Sequence, residues 1–378
     1  MTIPLLRPHF DDDEIKEVKK VLDSGWVSQG PKVKEFEQNA AEYLGTDHAI
    51  AVSNCTTALH LSLLTAGVRQ GDEVLVADFT FPATGHSVLY CGAQPVFVDV
   101  DPGTYNIDPE RIVEKTTDRT KAIIPVHTFG QTADMDPIMG IAREHGLKVI
   151  EDAACAFGSR YDGRMAGTIG DMGCYSFHAR KGITTGEGGM VVTNDEKVAE
   201  RIRYLSVFGM RSAWSREGGD LVIIPEFHDV GYNYKMSDIT AAIGVAQLRK
   251  IDMIIERKRL LAERYDHALQ EIEGISPPVV DKKSFHIYQS YVALVDAGID
   301  RNELIVKLKN KGIQCQIGTY SSHIQPVYEQ KSVECPVSLD IFNRTIALPM
   351  YFGLDFDQVD EVVNGIRDTI HSLREGMI

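Results

Sequence analysis

Lys181 stands in the run Tyr175-Ser176-Phe177-His178-Ala179-Arg180-Lys181-Gly182-Ile183-Thr184-Thr185-Gly186-Glu187-Gly188-Gly189, downstream of Glu151-Asp152-Ala153-Ala154. A lysine captures a carbonyl only as the neutral amine, and desolvation beside other cations lowers a lysine pKa enough to supply it. Lys181, after a short apolar strand and inside a Thr/Gly-rich loop, has the setting for that role. Asp152 offers the complementary group. A buried carboxylate can keep a heteroaromatic ring nitrogen protonated, which turns the ring into an electron sink for a carbanion. Taken singly, neither residue is decisive. A lysine picked at random is a solvated surface charge, and an aspartate at a strand end commonly caps a helix or a turn. Their order, with an anion site upstream, carries the argument.

That anion site is Ala51-Val52-Ser53-Asn54-Cys55-Thr56-Thr57-Ala58-Leu59-His60, where a strand ends in small polar residues and a helix begins at once. Free N–H groups and the macrodipole at a helix start suit a phosphate. Ser53 or Asn54 would equally serve as an ordinary N-cap. Ser176 is a second candidate phosphate donor. In Ala77-Asp78-Phe79-Thr80-Phe81-Pro82-Ala83-Thr84 a strand turns into a helix, and an aromatic there suits a flat ring; Phe79 reads as core. Asp152 falls at the carboxyl end of a strand, where open α/β sheets bind ligands. The run Gly186-Glu187-Gly188-Gly189-Met190-Val191 approaches a dinucleotide fingerprint. Its spacing fails and a strand follows instead of a helix, so a nicotinamide enzyme is rejected.

The elements that must position these residues follow from periodicity. Residues 12–23 and 33–43 read as amphipathic helices. From residue 48, strands (48–52, 73–76, 94–98, 121–125, 148–151, 173–176, 190–193) alternate with helices (57–66, 83–90, 109–115, 137–145, 195–205). This alternation predicts an α/β fold with a mostly parallel sheet between helices. One long helix is predicted over 237–272, with no proline inside it. A smaller α/β segment follows, with a strand at 289–295 and helices at 301–311 and 356–374. We place the domain change inside the long helix, giving a large domain over 1–250 and a small C-terminal domain over 251–378.

The chain has 378 residues, 43% of them hydrophobic and 25% charged, which suits a globular enzyme of more than one domain. A formal net charge of −15 argues against nucleic acid as a partner. No apolar run is long enough to span a bilayer, and the first residues lack a signal-peptide core. The 6 cysteines are scattered, with neither Cys-x-x-Cys nor His-Glu-x-x-His, so a reducing cytoplasm and no metal are expected.

Eight ordered stretches now carry a resemblance. They are 24–31 (Ser24-Gly25-Trp26-Val27-Ser28-Gln29-Gly30-Pro31), 53–60, 79–84, 98–101 with 104–108, 125–127 with 130–131, 151–154, 176–189 and 231–238. From end to end the chain resembles the pyridoxal-phosphate-dependent sugar aminotransferases of the DegT/StrS type, in the fold-type-I, aspartate-aminotransferase-like superfamily. The resemblance implies that Lys181 is the Schiff-base lysine and Asp152 the pyridine-nitrogen partner. It implies that Phe81 stacks on the ring and that Thr56, Thr57 and Ser176 bind the phosphate. Asn233 would be lent to the neighbouring subunit, making a homodimer with shared active sites. The implied reaction moves an amino group, with L-glutamate as donor, onto a nucleotide-linked keto-deoxysugar by a ping-pong route, in amino-sugar and polysaccharide biosynthesis. Loops Trp26–Pro31, Val207–Trp214 and Gly318–Gln325 would face the acceptor, with Arg211 and His323 the side chains best suited to it.

Two departures stand out: Cys55 where the family often has Gly, and Cys155 where a Gln commonly reaches the cofactor's phenolic oxygen. Two rivals are weighed. Sugar dehydratases of the same family carry His at the place of Lys181. A regulatory or binding protein on the same fold would not need Lys181 and Asp152 together.

Overall fold

The computed structural model describes residues 2–211, 226–328 and 334–375. Helix α1 (Asp12–Ser24) starts in a capping box between Asp11 and Glu14 and ends at Gly25, φ 70°. Helix α2 (Pro31–Leu44) opens on proline, whose missing N–H costs nothing in a first turn. Strands and helices then alternate: β1 (His48–Val52), α3 (Cys55–Thr65), β2 (Glu73–Ala77), β3 (Phe79–Thr80), α4 (Ala83–Tyr90), β4 (Gln94–Val98), α5 (Pro109–Lys115), β5 (Thr120–Ile124), α6 (Met135–His145) and β6 (Lys148–Asp152). A short hairpin, β7 (Arg160–Tyr161) and β8 (Arg164–Met165), precedes β9 (Met172–Ser176), β10 (Gly189–Thr193) and α7 (Glu196–Ser206).

The main sheet has seven strands in the order β1-β10-β9-β6-β5-β2-β4. Neighbours from β9 to β4 run parallel, while β10 is antiparallel to both β9 and β1. It is the mixed, mostly parallel sheet expected from the pattern. Alternation along a strand sends its side chains to two cores. Val191 of β10 joins Leu59 and Ile202 on one face, whereas Met190 and Val192 join Phe36 and Val245 on the other. Every residue of β2, β9 and β10 is buried, as a sheet covered on both faces requires.

The single helix expected over 237–272 is two: α8 (Asp238–Leu248) and α9 (Ile251–Leu269). At the break, Lys250 has φ −108° and ψ −3°, and its ammonium binds Asp11 at 2.6 Å and Glu14 at 2.8 Å. Docking of α1 fixes the bend, and no glycine or proline marks it.

Before this break β11 (Met210–Arg211) pairs with β12 (Glu226–Phe227). After it come β13 (Ile275–Ser276), β14 (Ser284–Phe285), β15 (Tyr291–Val295), α10 (Arg301–Asn310), β16 (Gln316–Ile317), β17 (Tyr320–Ser321), α11 (Pro336–Arg344), β18 (Thr345–Leu348) and α12 (Phe356–Glu375). Strands β13-β15-β18-β16 form a four-stranded antiparallel sheet. Its core includes Tyr265, Leu304, Val359 and Ile366 together with Ile3 from the chain's start. β17 reaches back to pair with β3 of the large half, Tyr320 opposite Thr80. Among the described residues no helix is long and apolar enough to cross a membrane.

Candidate active site

β6 ends between β5 and β9, and its last two residues point to opposite faces of the sheet. Glu151 turns into the protein and accepts N–H groups from Gly167 (2.7 Å), Ile169 (2.6 Å) and Gly170 (2.6 Å). It also meets His127 Nε2 at 2.8 Å. His127 Nδ1 accepts the Ala133 N–H at 3.1 Å, so the ring proton sits on Nε2 and is donated to Glu151. This fully buried pair pins the strand end. Asp152 faces the other way. Thr84 donates to its Oδ2 at 2.8 Å and the Ala154 N–H to its Oδ1 at 3.1 Å. Burial pushes the Asp152 carboxyl above the ordinary carboxylate range, opposed by Thr84, the Ala154 N–H and Lys181.

Lys181 sits on the loop joining β9 to β10. The loop is closed by Thr185 N–H to Phe177 O and by Ala179 N–H to Gly186 O. Thr184 Oγ1 donates to Phe177 O at 2.9 Å and accepts the Gly186 N–H at 2.9 Å. Gln289 ties the loop to the C-terminal half through a 2.5 Å bond to Arg180 O. The lysine amine lies 3.2 Å from Cys155 Sγ. Burial disfavours its charge, but Cys155, Cys55 and Asp152 outweigh burial and hold it above the ordinary lysine value. The lowered lysine expected from the sequence is thus not what the site gives: the sulfur and carboxylate neighbours raise it, although Lys258 and Arg7 line the same cavity.

α3 begins beside this loop. Asn54 caps it by accepting the Thr57 N–H at 2.9 Å, and Thr57 Oγ1 is spent on Asn54 O at 2.7 Å. Thr56, in the same turn, has no side-chain partner among the described residues. Cys55 fits a regular first helical turn. The close approach is instead supplied by Gly189, where a Cβ would lie 2.3 Å from the Asn54 carbonyl carbon. Ser176 ends β9, almost buried. Phe81 is 63% exposed at the mouth of α4, whereas Phe79 is core, as the sequence indicated.

The more distant candidates lie apart. Asn233 is exposed, and its side chain accepts from Lys235. The side chain of Arg211 and residues 212–214 of its loop lie outside the described residues. His323 is almost buried, its Nδ1 2.7 Å from Asp78 Oδ2, which leaves only Nε2 for a ligand. Asp78, His323 and Cys335 are close enough to hold an ion. The Asp78 oxygens are, however, already filled by donors from the His323 backbone (2.7 Å), Ser321 (2.8 Å) and Ser338 (2.5 Å). The group is a hydrogen-bond hub fastening Ser321, His323 and Ser338 to the residue before β3.

Sequence reasoning missed Thr84, His127 and Lys258. Thr84 and His127 stand 68 and 24 residues from their carboxylate partners, so spacing could not pair them. Lys258 reads as an ordinary helix charge, yet it is buried and lines one small cavity with Lys181, Arg7 and His9.

Comparison with known proteins agrees with this architecture. Spr1654 of Streptococcus pneumoniae superposes in its PLP form with a TM-score of 0.92 at 26% identity, over 99% of this chain and 100% of that one. Spore coat polysaccharide biosynthesis protein SpsC of Bacillus subtilis is 41% identical, over 97% of each chain. GDP-perosamine synthase of Caulobacter vibrioides is 38% identical over 96% of each. The protein is a fold-type-I, pyridoxal-phosphate-dependent aminotransferase. More narrowly, it belongs to the DegT/DnrJ/EryC1/StrS aminotransferase family, whose model matches residues 8–367.

Proposed function

We propose that this enzyme moves the amino group of L-glutamate onto the ketone of a nucleotide-linked keto-deoxysugar, in two half-reactions with ping-pong kinetics. Its product would feed polysaccharide biosynthesis. The observation that carries the site assignment is the convergence of the Lys181 amine and the buried Asp152 carboxylate beside the first turn of α3.

The residues fit pyridoxal phosphate. Thr56 carries a hydroxyl with no partner among the described residues, and Ser176 one that accepts only the His178 N–H at 3.4 Å, so both can bind its phosphate; Thr57, whose hydroxyl and N–H are both engaged with Asn54, would join them by exchanging those bonds. Phe81 offers an exposed aromatic face to its ring. When bound, the cofactor supplies an electron sink that acidifies the substrate carbon. Asp152, oriented by Thr84, keeps the ring nitrogen protonated. Lys181 would hold the cofactor through its side-chain nitrogen, and the same amine would move a proton from and back to the substrate carbon. Asn233 of a second copy completes the phosphate site in a homodimer. The domain change falls at the α8–α9 break.

The sugar acceptor is supported by the GDP-perosamine synthases among the relatives. The dehydratase reading is disfavoured by Lys181 itself. Half-reaction spectroscopy tests the assignment. The amino form of the enzyme should return to the aldehyde form when mixed with a nucleotide keto-sugar. Return with simple keto acids alone, without nucleotide-sugar binding where glutamate binds, would place the enzyme among amino-acid transaminases.

A further inference from the structure

One buried lysine in this fold meets no acid. Lys258 of α9 is 4% exposed, and its side chain gives one hydrogen bond, to the Gln289 carbonyl at 3.0 Å. As an ammonium it carries three N–H bonds, and the others find no acceptor among the described residues. Lys250, also buried, is treated differently and meets both Asp11 and Glu14. A charge taken out of water without a counter-ion is costly, and such groups gather where a ligand supplies the missing partner. Lys258 lines the small cavity that also reaches Lys181. Arg7 lines it too but is exposed, so solvent ions can serve it. His9 packs on the Phe352 ring at 4.3 Å. Tyr351 completes the titratable lining, which among the described residues includes no carboxylate.

What this corner lacks is one small anion beside Lys181. The cofactor's phosphate is assigned to the first turn of α3, and a nucleotide's pyrophosphate is too bulky for so small a cavity. An amino acid fits better. Its carboxylate is bonded to the carbon that gives up a proton to the Lys181 amine, so it must lie within a few ångström of that amine. We infer, resting on the aminotransferase reading with Lys181 as the cofactor lysine, that Lys258 receives the α-carboxylate of the amino donor in this cavity. Only the carboxylate has to enter; the rest of the donor stays outside. The contact selects α-amino acids over simple amines. Burial brings the Lys258 amine down to about 8. It is therefore mostly protonated at neutral pH, and an arriving carboxylate favours that charged form further.

Two donors that differ by this one group test the assignment. L-glutamate and 4-aminobutyrate share the amine and the distal carboxylate, and only glutamate carries the α-carboxylate. The change in cofactor absorbance gives kcat/KM of the holoenzyme for each donor in the first half-reaction alone. Wild type should prefer glutamate, and Lys258→Met should shrink the glutamate to 4-aminobutyrate ratio by about 10- to 100-fold, the value of hydrogen bonds to a charged group. A Lys258 that only anchors Gln289, and through it the Lys181 loop, would slow both donors alike. An unchanged ratio therefore overturns the inference. A second measurement needs no variant. α-Methyl-L-glutamate has no α-hydrogen to lose, and in a crystal structure of the wild-type holoenzyme its α-carboxylate should lie within hydrogen-bond distance of Lys258 Nζ. A carboxylate held by Arg7 instead, or by any other group, overturns the inference as well. Borohydride reduction and peptide mapping separate the premise: label on a lysine other than Lys181 overturns the cofactor assignment, whatever the donor ratio shows.

Discussion

Asp152 is asked to stay ionised in a place that penalises its charge. Burial raises its pKa, and the two donated hydrogen bonds, from Thr84 and the Ala154 N–H, are what oppose the rise among neutral groups. Thr84 is itself held by Thr80 at 3.0 Å, so its hydroxyl proton is aimed at the carboxylate. Thr84→Val keeps the shape and removes that donor. A hydrogen bond to a charged group contributes about 1.5–3 kcal/mol, so turnover at neutral pH should fall by roughly tenfold or more. The sign of the pH effect follows. Losing a donor to the charged form raises the carboxyl pKa further, and the acid limb of the kcat profile must move to higher pH. Asp152→Asn, which has no charge to lose, should cost orders of magnitude while the protein stays folded. An unmoved acid limb in Thr84→Val, or near-normal turnover in Asp152→Asn, contradicts the role. Of the proposed site, Lys181 and Asp152 could be singled out in the sequence because one lies in a Thr/Gly-rich loop after a short apolar strand and the other ends such a strand. Thr84, Lys258 and the Cys155 contact could not be, because each exists only once distant segments are folded together.

Elements repeat that division. Strands of the main sheet could be read to within a residue or two, because each is a short apolar run between turn residues and helices. β17 and β3 could not be read as strands, being two residues each and formed only by pairing across the molecule. The α8–α9 break was hidden for a related reason: what bends the chain is the charge cluster docking α1. Within it Glu17, 4% exposed, binds Lys20 at 2.8 Å, Lys32 at 2.7 Å and Arg249 at 3.4 Å. Burial works against its charge, but Lys20 and Lys32 carry its pKa from 4.5 down to about 2. A carboxylate with a depressed folded pKa contributes stability that is complete above its unfolded value and is lost as pH falls through the folded one. Stability to denaturant should therefore decline between pH 4.5 and about 2, beyond any loss from other carboxylates. Glu17→Gln should cost about 1–3 kcal/mol at neutral pH and flatten that part of the curve. If wild type and variant lose stability in parallel over the window, α1 is not held by this charge.

At the scale of the whole molecule, the site described within one chain is open on one side. Phe81 is 63% exposed, and Asn233 lies on a segment bridged to Val207, next to the exposed Phe208. The same segment runs past the end of β1, where Tyr234 O accepts the Ser53 N–H at 2.7 Å. It therefore borders the first turn of α3 without turning the Asn233 side chain inward. Exposed aromatic side chains beside a ligand site mark a surface that another molecule covers, and a second copy with two-fold symmetry would cover both sites at once. The proposed dimer makes a prediction that a one-chain site does not. Lys181→Ala and Asn233→Ala should each be inactive or nearly so alone. After subunit exchange, a mixed dimer holds one site with both defects and one with neither. Random reassortment of equal amounts makes half the dimers mixed, so activity should recover to about a quarter of wild type. Exchange is verified independently by native mass spectrometry of differently tagged subunits. Mixed dimers present at the expected level with no recovered activity would mean that Lys181 and Asn233 serve the same chain, and that each protomer builds its site alone.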